Sequence, residues 1–409
     1  MRLPDAPWRH WEGMGVLLDA LGADEGGARF VGGAVRDALL ELDVQDVDIA
    51  TVHAPEETAR RIDAAGLKAV PTGIKHGTVT AVLPGKRTIE VTTLRRDVAT
   101  DGRHAEVEYT DDWKGDAARR DFTINALSAD PVTGEIFDFF GGLDDLAARR
   151  VRFIGEPLNR IAEDHLRILR FFRFHARFGE GAPDAESLGA CIARANDLMA
   201  LSRERIADEL LKMLALDDPA PTMALMIERG VLQPVLPEIV TAGPLERLIA
   251  RENLFRHSSF RWNDALNSHP LRRLAALLPP DPETARAIAA RLKLSKAQRQ
   301  RLAIAAARMP GDTATPRALA FRLGIESAVD RLLLCPTNDI VVGRALETLA
   351  ANPPPERFPL KGADLIALGV EPGPEVSRLL GELREAWIAE DFPGEDRVRE
   401  MAQAKISGS

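Results

Sequence analysis

Residues 30–51 read FVGGAVRDALLELDVQDVDIAT, and the reading of the fold turns on them. The stretch predicts a short strand over 29–31, a Gly32-Gly33 turn, one helix, and a second strand carrying Asp46 and Asp48. Side chains alternate along a strand. The two aspartates therefore share one face, while Val47 and Ile49 turn to the other, into a core. Adjacent carboxylates repel each other, and a divalent cation between them relieves the cost. At a strand-to-helix turn, the bare backbone N–H groups of Gly32 and Gly33 can cradle phosphate oxygens. One segment thus offers a cation site beside a phosphate seat. Either half alone is weak, because D-x-D is common in loops and Gly-Gly marks any turn.

Upstream, Trp11, Met14, Leu18 and Leu21 recur at spacings of three and four, which predicts an amphipathic helix within 8–21. Downstream, Pro55 and Gly66 bracket a second helix. HGTVTAVL (76–83) and KRTIEVTTL (86–94) predict two strands around the Pro84-Gly85 turn. In the second of these, Thr88, Glu90 and Thr92 share a face. Glu90 is then either a third carboxylate beside the aspartates or an exposed glutamate on a half-buried strand. Residues 95–118 are polar and aperiodic and read as a long loop, with Arg95, Arg96, Asp97, Arg103, Asp111, Asp112 and the chain's one tyrosine, Tyr109. Long loops inside compact domains are more often functional than decorative. RRDFTINALSAD (119–130) and DFFGGLDDL (138–146) follow, and beyond about 147 strand signals give way to helix.

A second chemical stretch is EDHLRILRFFRFHARF (163–178), read as a helix. With Asp164 at zero on a wheel, Arg173, Arg177, Arg170 and Arg167 fall at about 180°, 220°, 240° and 300°. Phenylalanines and aliphatics fill most of the rest. Asp164 and Arg167 at i, i+3 are either a surface ion pair of a few tenths of a kcal/mol or a base reader. Cytosine and adenine each place an amino donor beside a ring-nitrogen acceptor. A carboxylate accepts from the first and an arginine donates to the second. Uracil and guanine present the reverse and leave polar groups unpaired. The other arginines suit triphosphate oxygens.

The chain has 409 residues, enough for two to four domains, with 45% hydrophobic and 28% charged residues, as in soluble globular proteins. No apolar run is long enough to span a bilayer. MRLPDAPWRHWEGMG has no signal-peptide core and no evident transit-peptide pattern. Cys191 and Cys335 sit in apolar contexts, which predicts buried thiols, a reducing surrounding and a cytoplasmic protein. The net charge of −9 excludes a wholesale polyanion binder and leaves only local basic faces for a nucleic acid.

Five ordered segments (GGAVRD with DVD, RRDFTINAL, DFFGGLDDL, EDHLRILRFFRF and SRERIADELLKML at 202–214) together resemble the tRNA nucleotidyltransferase/poly(A) polymerase family of polymerase beta-like nucleotidyltransferases. Within it the chain looks like the bacterial CCA-adding, class II type. The resemblance spans roughly the first half of the chain. It implies an α+β protein: a nucleotidyltransferase head with a small mixed sheet (1–148), then an all-helical neck (149–214), an RNA-binding body (215–355) and a tail (356–409). It implies magnesium on Asp46 and Asp48, with Glu90 as third carboxylate. It places Gly32, Gly33, Arg36 and Arg120 on the incoming nucleotide. Asp164 and Arg167 would read the base, Arg170 and Arg173 would assist, and Asp121 and Asn125 match the second motif. The implied partners are tRNA, ATP and CTP, with no membrane and no protein partner. Position 41 is Glu where the family often has Gly; at the helix end, away from the acidic pair, it is expected to leave the chemistry untouched.

Past 215 the sequence reads as helices, with Ser295 capping one and Thr315-Pro316 starting another. Arg286, Arg291, Lys293, Lys296, Arg299, Arg301, Arg308, Arg317 and Arg322 accumulate there, either as a solvated surface or as the best candidate for RNA phosphates. NPPPERFP (352–359) reads as a linker, and His257 as structural or RNA-adjacent. Three alternatives stay open. A poly(A) polymerase would carry a glycine-arginine-arginine-phenylalanine type segment where this chain has RRIDAAGLKAVPTGIKHGTV, and usually a basic extension where this chain is acidic and short. A CC-adding or A-adding enzyme is the second; CC-adding relatives shorten the loop before RRD, which looks intact here. A non-catalytic RNA-binding protein is the third.

Overall fold

The computed structural model describes residues 1–74, 77–101, 104–256 and 263–407, with side chains of 97–107 and 261–264 outside the description. Two compact units emerge: residues 1–213 with 228–235, and 214–227 with 236–409.

The first unit is built on a seven-stranded sheet. In chain order its strands are β1 (Ala28–Val31), β2 (Asp48–Thr51), β3 (Lys68–Gly73), β4 (Thr78–Val82) and β5 (Thr88–Thr93), then, after a separate hairpin of β6 (Arg95–Asp101) and β7 (His104–Tyr109), β8 (Ser128–Ala129) and β9 (Ile136–Phe137). The spatial order is β3-β4-β5-β2-β1-β8-β9. Only β2 and β5 pair in parallel; the other neighbours are antiparallel, so the sheet is mixed. One face packs on α1 (Met14–Ala20) and α3 (Pro55–Ala64), and α2 (Gly33–Leu39) follows β1 directly. The alternation predicted at 46–49 holds in burial: Val47 and Ile49 are buried while Asp46 is exposed and Asp48 half-buried. The strand itself begins at Asp48, so Asp46 stands just before it.

Residues 95–118 are not a loop. They form the β6–β7 hairpin and α4 (Trp113–Ala118), capped by the Asp112 carboxylate accepting from the Lys114 N–H at 3.0 Å. The segment is rich in Arg, Asp and Glu, and that polar composition outweighs the short alternation of HAEVEY (104–109) in the sequence. Strand β3 was also missed. Its Pro71 argues against a central strand, and β3 indeed lies at the sheet edge, where proline is tolerated. Arg103 and His257 lie outside the described residues.

After α5 (Gly142–Ala147) the unit continues as α6 (Pro157–Glu163), α7 (Leu166–Phe178), α8 (Ala185–Ala193) and α9 (Arg203–Leu214). Residues 163–178 are therefore two helices with a break, not one. Asp164 is extended (φ −154°, ψ 106°), and its carboxylate accepts from the Leu166 N–H at 3.1 Å at the start of α7. The buried face of α7 holds Ile168, Leu169, Phe171, Phe172 and Phe178, and Phe122 and Phe153 pack on Phe171.

Among the described residues the regular elements of the second unit are all helices. Its helix at 296–306 opens with a Ser295/Gln298 capping box, as the sequence predicts. Its interior holds Arg272, Arg273 and Glu252, all fully buried and bonded to one another, with Asp330 completing the pairing. Its last three helices pack around Trp387.

Candidate active site

The sheet edge at Val31 and Asp48 opens into a cavity of about 620 Å³ that α7 and α9 wall on the other side. Gly32, Gly33, Arg36, Asp46, Asp48, Arg120, Asp121, Asn125, Asp164, Arg167, Arg170 and Arg173 all line it, so residues as far apart in sequence as Gly32 and Arg173 meet at one place. Glu90 does not line it; its backbone lies directly beside Asp48 in the parallel β2–β5 pair, on the same face.

The glycine turn is required by its geometry. Gly32 has φ +66°, and a Cβ there would lie 2.7 Å from Arg120 Nη1. The positive φ strains any larger residue there, and a Cβ would require the end of Arg120 to shift. Arg120 donates from that Nη1 to the Asn125 carbonyl at 3.3 Å, so its guanidinium lies across the turn where a phosphate would sit.

Burial and the negative charge of Glu90 push the Asp48 carboxyl up to about 6, with Asp46 adding to the rise and Arg120 opposing it. Among the described residues no group of three carboxylates, histidines or cysteines is close enough to cage an ion. Magnesium binds through one or two carboxylates and completes its shell with water and substrate phosphate. Asp46 and Asp48 supply hard oxygen donors, and the excess negative charge felt by Asp48 is what a cation would neutralise.

The arginines are held by carboxylates. Arg36 is buried, donates to Asp37 at 2.7 Å and to the Asn125 side-chain oxygen, and lies 4.1 Å from the Phe178 ring centre. The Asn125 amide donates in turn to Asp121 at 2.9 Å. Asp121 also accepts from the Phe122 N–H and from Arg170. Burial alone would raise the Asp121 carboxyl, but Arg170, Asn125 and the Phe122 N–H hold it below the usual carboxylate range. Arg173 donates to Glu209 of α9 at 2.6 Å. Asp121, Asn125 and Arg173 thus have their hydrogen bonds directed into the protein and orient their neighbours.

Asp164 and Arg167 both face the cavity, and the Arg167 N–H donates to the Asp164 carbonyl at 3.0 Å, but their side chains are not bonded to each other. Asp164 accepts from Arg205 of α9 at 2.7 Å; Arg167 donates to Glu163 and to the Arg160 carbonyl at 2.9 Å. The surface ion pair considered for them is absent, and each is fixed separately at the wall. Sequence reasoning assigned no role to Arg205, Glu209 or Glu163. SRERIADELL holds the signal, an Arg205–Glu209 spacing of four that sets both on one face of α9.

The basic cluster of the second unit is largely committed internally. Arg308 donates to the carbonyls of Ala275 and Leu278, and the buried Arg317 to that of Asn352. Arg291, Arg301 and Arg322 pair with Glu238, Asp330 and Glu385. Arg322 remains half-exposed in its pair with Glu385, and Lys293, Lys296 and Arg299 stay on the surface.

Residues 28–152 match the family model described as "Poly A polymerase head domain", and residues 182–242 the one described as "Probable RNA and SrmB- binding site of polymerase A". The mitochondrial CCA tRNA nucleotidyltransferase 1 of Mus musculus is 36% identical over 389 residues, covering 92% of this chain and 86% of that protein. The Homo sapiens counterpart is 34% identical over 391 residues, with the same coverage. The chain belongs to the CCA-adding tRNA nucleotidyltransferase family. A crystal structure of the Bacillus stearothermophilus CCA-adding enzyme in complex with CTP superimposes with a TM-score of 0.77 at 27% identity, over 99% of this chain and 100% of that one. The Thermotoga maritima CCA-adding enzyme complexed with tRNA shares the fold, with a TM-score of 0.68 at 21% identity over 96% and 94%. The expectation of a cytoplasmic protein is corrected by these relatives: the mouse, human and zebrafish members are mitochondrial. Two buried free thiols report reducing surroundings, not a compartment. Among the described residues no helix is long and apolar enough to cross a membrane.

Proposed function

We propose that this chain adds C, C and A to the 3′ end of tRNA without a nucleic-acid template, using CTP and ATP and releasing pyrophosphate. One observation carries the reading. The acidic pair Asp46/Asp48 and the pair Asp164/Arg167 line the same cavity, so the reaction and the choice of base share one site.

Asp46 and Asp48 would hold magnesium, which when bound would supply charge neutralisation on the triphosphate and make the tRNA 3′-hydroxyl easier to deprotonate. The chain's own residues position the reactants. The Gly32-Gly33 turn and Arg120 seat phosphate oxygens, Arg36 adds positive charge behind them, and Arg170 lies along the same wall. Asp164 accepts from the amino group of cytosine or adenine, and Arg167 donates to the ring nitrogen. Glu90, beside Asp48 on the open sheet face, is placed to orient the attacking hydroxyl. The domain reading in this proposal is a head over 1–148, a neck over 149–214, an RNA-binding body over 215–355 and a tail over 356–409.

The test is purified protein with tRNA lacking its 3′ CCA and single nucleotides. CTP should add two residues, ATP one thereafter, and UTP and GTP none. Long A tails would indicate a poly(A) polymerase, and C alone or A alone a partial enzyme. No incorporation at all would leave an RNA-binding protein.

A further inference from the structure

We propose that Arg29, Trp113 and Tyr109 form the seat on which the 3′-terminal nucleotides of the acceptor RNA stack, on the side of Asp48 away from the glycine turn. The proposal rests on the nucleotidyl-transfer reading and supplies its acceptor side.

Strand register sets the geometry. Val31 lies opposite Asp48 and Arg29 opposite Ala50, so all four side chains are on one face. Following β1, the chain passes Arg29, reaches the level of Asp48 at Val31, and enters the Gly32-Gly33 turn. Arg29 is therefore about 7 Å to one side of the Asp48 level, and the phosphate seat is immediately to the other. In-line transfer places the attacking oxygen and the leaving pyrophosphate on opposite sides of the reacting phosphorus. With pyrophosphate at the glycine turn, the hydroxyl arrives over Arg29.

What stands there suits RNA. The Arg29 guanidinium lies 4.2 Å from the Trp113 ring centre and 3.6 Å from that of Phe137. Its Nη1 is buried and has no hydrogen-bond partner among the described residues. Burial lowers its pKa, with Asp130 and Glu135 opposing from a distance. Trp113 is half-buried and packs on the cluster of Val31, Ala50 and Leu94. The same row continues through Val52 to an open cleft of about 420 Å³ that Arg96 and Tyr109 also line. Tyr109 is 41% exposed, and its hydroxyl donates to the Ile74 carbonyl at 3.4 Å, which fixes the ring. Glu108 and Asp111 line this cleft too, so stacking rather than phosphate pairing is its main attraction.

Aromatic and guanidinium planes hold bases regardless of identity. That matches an acceptor whose terminal base changes after each addition, while the incoming base is read elsewhere, by Asp164 and Arg167.

The test uses full-length protein and tRNA lacking CCA. Arg29→Lys keeps the charge but loses the plane; Tyr109→Ala changes an exposed ring and spares the fold. Both should raise the KM for acceptor tRNA about tenfold, while the equilibrium Kd for CTP in the absence of RNA stays within twofold. A tRNA ending in 4-thiouridine should photocrosslink to the Trp113 or Tyr109 peptide. An unchanged acceptor KM in both variants, an equal weakening of CTP, or crosslinks only to α7 and α9 would overturn the proposal. Wild-type protein that crosslinks at Trp113 but incorporates nothing would sink the reaction and retain the seat.

Discussion

A single oxygen of Asp121 receives both Nε and Nη2 of Arg170, at 2.8 and 2.5 Å, across 49 residues of sequence. This bond ties the loop after α4 to α7, and through Asn125 it extends to Arg36. Asp121→Asn should destabilise the first unit by about 3 kcal/mol, as expected when a buried pair loses one partner. The pH dependence follows from the sign of the shift. The folded pKa lies below the unfolded one, so the stabilisation is present above the unfolded value and drains away as pH falls through the folded one. Thermal unfolding curves of wild type and variant should therefore differ most at neutral pH and converge in acid. A constant gap down to pH 3 would contradict this.

Asp48 behaves in the opposite way. Its carboxyl is raised to about 6, so in metal-free protein the ionised group destabilises the fold above that pH, and the penalty vanishes below the ordinary carboxylate pKa. Asp48→Asn should lose incorporation yet gain on the order of 2 kcal/mol of stability at pH 8 in EDTA. The gain should shrink as the pH drops to 4. A lower Tm than wild type at pH 8 would count against the electrostatic account.

Glu209 is 3% exposed and accepts from Arg173 at 2.6 Å, with Arg170 at 3.7 Å. Glu209→Gln keeps the shape and weakens a charge-assisted bond. The KM for CTP and ATP should rise about tenfold each, with the preference for C over U unchanged. A change in base preference would place Glu209 in base reading instead.

Glu41 sits just past α2 with φ +56°, and the Leu42 N–H reaches back to the Asp37 carbonyl at 2.9 Å, a helix-ending motif that favours glycine. Glu41→Gly should stabilise the protein by about 1 kcal/mol, with kcat unchanged. Urea unfolding and a standard incorporation assay together read both halves of that expectation.

The β1–turn–α2–β2 segment could be read from sequence because its chemistry is local. Val47 and Ile49 alternate with the aspartates, and Gly32 and Gly33 mark a turn whose first residue has a positive φ that favours glycine. The Asp164 side of the site was legible by residue type but not by conformation. No proline or glycine announces the break at Asp164, and the extended backbone there is set by its carboxylate capping Leu166 and pairing with Arg205. What escaped altogether were bonds between distant segments, Asp121 to Arg170 and Arg173 to Glu209, because pairing across tens of residues leaves no periodic trace. The basic cluster beyond 285 stayed open between a solvated surface and an RNA-facing one for the same reason: sequence shows the arginines and not the carbonyls of Ala275, Leu278 and Asn352 that hold two of them.

The central claim is that one cavity separates reaction from choice: Asp46 and Asp48 for transfer, Asp164 and Arg167 for the base. Single-turnover incorporation of each of the four nucleotides into tRNA lacking CCA, by Asp46→Ala and Asp164→Ala proteins, tests it most directly. Asp46→Ala should incorporate nothing. Asp164→Ala should retain transfer, with the ratio of CTP to UTP use falling at least about tenfold. An equal loss for all four nucleotides in the Asp164 variant, with that ratio unchanged, would contradict the account.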